Sequence, residues 1–480
     1  MAHFLSSDQI LGVLHGFNPW WDAPAPQPFT FRRIAYGLCR EYLDHPSLHR
    51  AVMLSGPRRV GKSVILQQIA RAKVAEGIPP RSILYLSLEH PFLKVLSLPE
   101  IIKIYHANIH PSGEQTTLLL DEIQYAQDWE LHLKVLVDHQ TNYRVLATGS
   151  AALSTRHRLS ESGVGRWVTV PIPTLSFFEF IRIRGEGPDD GIQVSPEALF
   201  RLSTADRLGL AAHLRPLMPL FHRYLLLGGF PETAKLDDLP TAQRLLREDV
   251  VDGVLKRDMT ALYGVRNIAE LERLFIYLCL HTGGIFQAKT CADQLEISPT
   301  TVSKHLDYLE LAHLVYRVNP YALSGKLVLK GRPKVHLVDA AIRNAVLLRG
   351  TVLLQDPTEL GLVVESAITR HILAFYHPSA AEVTYWRDPK SGKEVDIILR
   401  VGQETVPFEV KYRDPANLGS KDGIVDFCRK ESIARAYFIT RAEPDFGPHP
   451  VADSSTAFMK VPAHIFAFLA GQTEMSGQGI

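Results

Sequence analysis

The chain has 480 residues, 46% hydrophobic and 21% charged, which is apolar material for about three or four domain-sized cores. Its 52 Lys and Arg offset 51 Asp and Glu, so total charge implies no polyanionic partner and only local patches can. Four cysteines stand far apart with no C-x-x-C pair, and no run of about 18 apolar residues occurs. These features argue against structural zinc, disulfides, a membrane span or a secretion signal, and suit a reducing cytoplasm.

Residues 1–50 read as an N-terminal helical segment containing Asn18-Pro19-Trp20-Trp21. Over 51–183, apolar strands alternate with helical stretches: Ala51–Leu54, Ile83–Leu88, Thr117–Asp121, Arg144–Thr148 and Trp167–Pro171. That alternation predicts a parallel sheet flanked by helices. Turn-rich residues from Arg184 open a helical lid or linker over 184–270, interrupted by Gly228-Gly229-Phe230-Pro231-Glu232. Residues 271–345 predict a small helical unit ending in a β-ribbon, and 355–470 a last α/β domain. Gly471-Gln-Thr-Glu-Met-Ser-Gly-Gln-Gly, within 471–480, is expected to be a disordered tail. The fold class is therefore multidomain α/β.

The strand Ala51–Leu54 runs into Gly56, Pro57, Arg58, Arg59, Val60, Gly61, Lys62 and Ser63, a complete G-x-x-x-x-G-K-[ST] phosphate loop. A helical run from Val64 follows, the context the motif needs. Loop and helix amides would cradle phosphate oxygens, Lys62 would reach the β- and γ-phosphates, and the Ser63 hydroxyl would bind Mg²⁺. Leu118-Leu119-Leu120 ends in two carboxylates: Asp121 for the Mg²⁺ shell, and Glu122 to orient or deprotonate the attacking water. Thr148 and Ser150 end the next strand, with Ser150 preferred as the group touching the γ-phosphate or the water. Among Arg156, Arg158 and Arg166, the last is the candidate finger reaching a neighbouring subunit's nucleotide. No [NT]-K-x-D motif occurs, so ATP is favoured over GTP.

The phosphate loop, Leu120-Asp-Glu-Ile-Gln, Thr148-Gly-Ser and Leu175-Ser-Phe-Phe-Glu-Phe together resemble a prokaryotic clade of AAA-type ATPases with an AAA_14-like core. In that clade a C-terminal domain of unknown function, numbered 4143, follows the ATPase core. Asn18-Pro19-Trp20-Trp21 is similar to its N-terminal segment. Gly228 to Glu232, Arg257-Asp258 and Glu394-Val395-Asp396 to Glu409-Val410-Lys411 fit its second domain. Ser63 stands where Thr is commoner, a change that keeps the hydroxyl. The resemblance implies a cytoplasmic, ATP-binding homo-oligomer, a hexameric ring being one form, with no defined biological role.

Residues 286–318 predict a helix-turn-helix: Ala288–Leu295, a turn at Glu296-Ile297-Ser298, then a helix begun by Ser298-Pro299. Val302, Leu306 and Leu309 make its apolar face, while Thr300, Ser303 and Lys304 lie opposite and suit a DNA major groove. Strands Leu314–Asn319 and Lys334–Val338 bracket a basic wing with Lys326, Lys330 and Arg332. Such winged helices also serve as mere packing modules.

In the last domain, Glu365 lies on a helix, Asp396 on a strand, and Glu409 and Lys411 two apart on the next strand, facing one side. This order resembles the PD-(D/E)-x-K nuclease fold, which implies Mg²⁺ or Mn²⁺ held by Asp396 and Glu409 with Lys411 steadying the attacking water. The same cluster would equally serve as a binding or packing core. Three functions stay open: an ATPase motor or switch acting on DNA, an ATP-dependent signalling or defence switch with a protein partner, and a nuclease whose assembly ATP gates.

Overall fold

A computed structural model describes residues 6–23, 29, 31–149, 165–188, 192–321, 331–377 and 381–476. The chain divides into two compact units, Met1–Pro173 with Leu311–His313, and Thr174–Glu310 with Leu314–Ile480.

The first unit is built on strands Ala51–Ser55 (β1), Ile83–Ser87 (β2), Thr116–Asp121 (β3), Tyr143–Gly149 (β4) and Trp167–Pro171 (β5). They form one all-parallel sheet in the order β2-β3-β4-β1-β5. Every residue of β1 and β3 is buried, as expected when helices cover both faces of a parallel sheet. The helices Ile34–Asp44 and Lys62–Ala75 pack directly on these strands. β2 is an edge, and the Asn18-Pro-Trp-Trp segment protects it. Asn18 Nδ2 donates to the Tyr85 carbonyl at 3.0 Å while its Oδ1 accepts from the Tyr85 amide at 2.7 Å. Trp20 and Trp21 both donate from Nε1 to the Ile83 carbonyl. A side chain thus satisfies strand-edge groups that would otherwise invite another chain.

The second unit holds an eight-stranded mixed sheet. Its strands are Val315–Pro320 (β6), Lys334–Leu337 (β7), Glu382–Arg387 (β8), Glu394–Val401 (β9), Glu404–Val410 (β10), Arg435–Thr440 (β11), Gly447–Pro448 (β12) and Ala457–Pro462 (β13). They run in the order β12-β13-β11-β10-β9-β8-β6-β7. The β6–β7 hairpin expected as a wing base is therefore continuous with the C-terminal sheet, β6 pairing parallel to β8 through Asn319–Thr384 and Pro320–Tyr385. The residue ranges 271–345 and 355–470 share this one sheet.

The expected tail needs correction. A helix spans Ala463–Met475 and is buried through Thr473. Gly471 approaches helix Phe177–Arg184 so closely that a Cβ there would lie 2.7 Å from Ser176 Oγ, and Phe178 and Phe468 rings meet edge-on at 5.2 Å. Packing, not intrinsic propensity, holds this polar-ended helix. Among the described residues no helix is long and apolar enough to cross a membrane.

Candidate functional site

The C-terminal ends of β1, β4 and β3 converge where parallel α/β sheets place their ligands. Register pairs Leu54 with Thr148 and Leu120 with Ala147, so Ser55, Thr148 and Asp121 end the three strands side by side. The loop leaving β1 needs its glycines. A Cβ on Gly56 would collide with the Ile172 carbonyl oxygen, and Gly61 has φ +100°, a left-handed conformation that costs a side-chain-bearing residue about 1–2 kcal/mol. Arg33, nearly buried, donates to the Val60 carbonyl at 3.1 Å and ties the loop down from outside. The helix Lys62–Ala75 begins at Gly61 with no side-chain cap, so its N-terminal amides face the loop's concavity.

Lys62 is buried, and its ammonium donates to the Gly56 and Pro57 carbonyls at 2.9 and 2.8 Å. Pro57 is buried, Arg58 and Ser63 half-buried, and Arg59 and Val64 exposed. The loop therefore brings Gly56 through Ser63 together at one strand end, while Val64 points away.

Asp121 is 4% exposed, and both its oxygens are engaged: Tyr85 Oη donates to Oδ2 at 2.9 Å and Thr148 Oγ1 to Oδ1 at 2.5 Å. Burial, reinforced by the Asp121 carboxylate, pushes the Tyr85 phenol far above its usual range, so it stays a donor. Sequence reasoning missed Tyr85; its hydroxyl lies one strand away with no spacing signal. Thr148, the alternative to Ser150 at the end of this strand, clamps Asp121, and its oxygen also accepts from the Glu122 amide at 3.0 Å. Glu122 sits at φ +53° with its carboxylate taken by the Gln124 amide, a short-range hold that aims it out of the strand. His313, which belongs to this unit, hydrogen-bonds Ser55 Oγ at 3.0 Å. Burial, then the Lys62 charge, pushes its imidazole down to about 4, so it is neutral near pH 7.

Ser150, Arg156 and Arg158 lie outside the described residues, as do Lys326 and Lys330. Arg166 precedes β5 at the register of Ala51, the end of β1 away from the phosphate loop, roughly 13 Å along the strand. Its Nε donates to both oxygens of Asp138 at 2.9 Å. The fold does not bring Arg166 to its own chain's nucleotide site.

A metal at this site fits its residues: a hydroxyl on Ser63 and a preoriented carboxylate on Asp121 are the hard oxygen donors Mg²⁺ takes.

The helix-turn-helix residues form as expected in outline, with helices Ala288–Leu295 and Pro299–Leu311 and Ser298 Oγ accepting from the Thr301 amide at 3.0 Å. Thr300, Ser303, Lys304 and Arg332 are exposed. The Ser303 hydroxyl donates back to the Pro299 carbonyl, so it is committed to its own helix.

The C-terminal carboxylates behave differently from the expectation. Glu365, on helix Pro357–Phe375, and Asp396, on β9, converge on a residue that sequence reasoning passed over, Lys334. Its ammonium lies 2.6 Å from Glu394, 3.2 Å from Glu365 and 3.4 Å from Asp396, and the side chain is 2% exposed. Burial and the Asp396 charge push Glu365 up to about 7. Asp396 spends its other oxygen on the Val410 amide at 2.8 Å. Glu409 lies 3.6 Å from Lys411, which also approaches Asp422, and burial holds its carboxyl well above the ordinary range. Among the described residues no group of three or more His, Cys, Asp or Glu is arranged to hold a metal. The Asp396 and Glu409 pair expected to bind Mg²⁺ or Mn²⁺ is held by other partners: Lys334 and the Val410 amide on Asp396, and Lys411 beside Glu409.

A glycine-turned loop that feeds a helix N-terminus, with a clamped Asp one strand beyond the neighbouring strand, defines a P-loop nucleotide-binding domain. Residues 48–181 match the model of the AAA domain family, residues 218–352 a domain of unknown function (DUF8612), and residues 360–449 a domain of unknown function (DUF4143). The chain therefore carries an AAA domain over residues 48–181 and a DUF4143 domain over residues 360–449. Gly228 to Glu232 and Arg257-Asp258, expected to belong to that last domain, fall instead in the DUF8612 match. An uncharacterized protein of Methanocaldococcus jannaschii is 25% identical over 396 residues, 79% of this chain and 80% of that one. One of Haemophilus influenzae is 26% identical over 397 residues, 80% and 89% of the two chains. The DNA-bound ORC1 structure from Aeropyrum pernix aligns over 69% of this chain and 96% of that one at 13% identity, with a TM-score of 0.30, too slight a likeness to carry an argument.

Proposed function

We propose that the chain binds and hydrolyses ATP and uses the nucleotide cycle to act on DNA as a motor or switch. The observation that carries the reading is the meeting of Lys62, Ser63, Asp121 and Thr148 at adjacent strand ends. Lys62 leaves the loop carbonyls for the β- and γ-phosphates, and the amides at Gly61–Ser63 hold phosphate oxygens. Ser63 and Asp121 would hold Mg²⁺, which would offset the phosphate charge. Glu122 takes or orients the proton of the attacking water, and the buried, fixed Asp121 keeps reorganisation small as charge shifts. Loss of the γ-phosphate then releases the loop contacts, the general route by which hydrolysis becomes motion.

Exposed Thr300, Lys304 and Arg332 support phosphate contact with DNA, which positions a protein without reading sequence. Arg166, remote from its own site and paired with Asp138, is the candidate to reach a neighbouring subunit's nucleotide, which goes with a homo-oligomer. No cleavage step is assigned to Glu365, Asp396, Glu409 and Lys411, since Lys334 already ion-pairs with Glu365 and Asp396. The test is steady-state ATP turnover with and without single-stranded, duplex and branched DNA. Stimulation by one form supports action on DNA; turnover indifferent to all three favours a switch answering to a protein partner; no turnover overturns the reading.

A further inference from the structure

A carboxylate cluster in the second unit is organised around Lys334, which the ATPase reading does not use. Its backbone is held on both sides, by Val318 of β6 and by a bridge to Ile285, so the side chain leaves a fixed point. From there it enters a cavity of about 400 Å³ that Gly283, Glu365, Glu394 and Asp396 help to line. Three carboxylates from two elements meet its single ammonium at 2.6–3.4 Å, and the Tyr385 ring lies 5.6 Å from the same nitrogen. A buried lysine persists only where charge partners offset its desolvation, and here there are three.

We propose that Lys334 is the resident cation of this site: its ammonium takes the position a divalent ion would need, so the protein carries no divalent metal at Glu365, Glu394 and Asp396. A hard cation would seek these same oxygens at about 2.0–2.6 Å. Its centre would then fall beside the ammonium, and like-charge repulsion keeps it out. The inference is independent of nucleotide hydrolysis, whose residues lie in the other unit.

The experiment uses the full chain without nucleotide and Mn²⁺ as probe, read by paramagnetic resonance of free Mn²⁺ and by thermal unfolding. Wild type should show no saturable site that Glu394→Gln weakens, and no rise in Tm with Mn²⁺. Lys334→Met, similar in length but uncharged, should gain one Mn²⁺ site and a Mn²⁺-dependent rise in Tm. Adding Asp396→Asn to Lys334→Met should weaken that site by roughly 10–100-fold, the usual effect of disturbing a metal's surroundings. A wild-type Mn²⁺ site lost on Glu394→Gln would overturn the proposal, as would a folded Lys334→Met that gains none. If Lys334→Met does not fold even with Mn²⁺, wild type against Glu394→Gln decides.

Discussion

Removing one hydroxyl should separate the support of Asp121 from its chemistry. Tyr85→Phe keeps the ring that packs edge-on against Phe17 and deletes the 2.9 Å hydrogen bond to Asp121 Oδ2. A hydrogen bond to a charged group contributes about 1.5–3 kcal/mol. At about 2–4 °C per kcal/mol for a unit of this size, Tm should fall by roughly 3–12 °C. Asp121 would keep only Thr148 as a clamp and lose its fixed orientation. Groups that orient a metal ligand typically change metal affinity or activity by about 10–100-fold, so the Mg²⁺ concentration for half-maximal ATP turnover should rise within that range. Turnover against Mg²⁺ at saturating ATP, alongside thermal unfolding, is the assay. A lowered Tm with an unshifted Mg²⁺ dependence would make Tyr85 a packing residue and refute the reasoning.

Lys62→Ala should weaken ATP binding sharply, and mixing it with Arg166→Ala protein should partly restore turnover if neighbouring subunits complete the site; inert mixtures would remove Arg166 from catalysis. Replacing Lys304, Lys330 and Arg332 with Ala should weaken DNA binding and lower the salt slope by up to about 0.9 per lost contact, measured by fluorescence anisotropy across salt; an unchanged slope would move DNA contact elsewhere. Gly471→Val should destabilise the second unit by about 1–3 kcal/mol, because its Cβ would meet Ser176 and Phe178; calorimetry showing no change would mean the helix end is not packed as described.

The ATPase core was legible because its signals are local. Strands β1 to β5 are short apolar runs, and the Gly56–Ser63 loop and Asp121-Glu122 sit at fixed places on them. What stayed hidden depends on partners distant in sequence. Tyr85 reaches Asp121 only because β2 and β3 are neighbours. Lys334 read only as the first residue of a strand beside the wing, and only the joining of β6 to β8 turns it into the centre of a carboxylate cluster. The helix Ala463–Met475 was not read from the sequence, and its last turn was taken for a tail from Gly471, although a glycine there is what lets two helices approach.

Phosphate release by the purified chain with ATP and Mg²⁺, set against Glu122→Gln, tests the central claim most directly. Wild type should turn over continuously, while Glu122→Gln should bind ATP with similar affinity and release phosphate at least about a hundredfold more slowly, the usual contribution of a positioned base. Equal rates for the two proteins, or no release by wild type with or without DNA, would contradict the account.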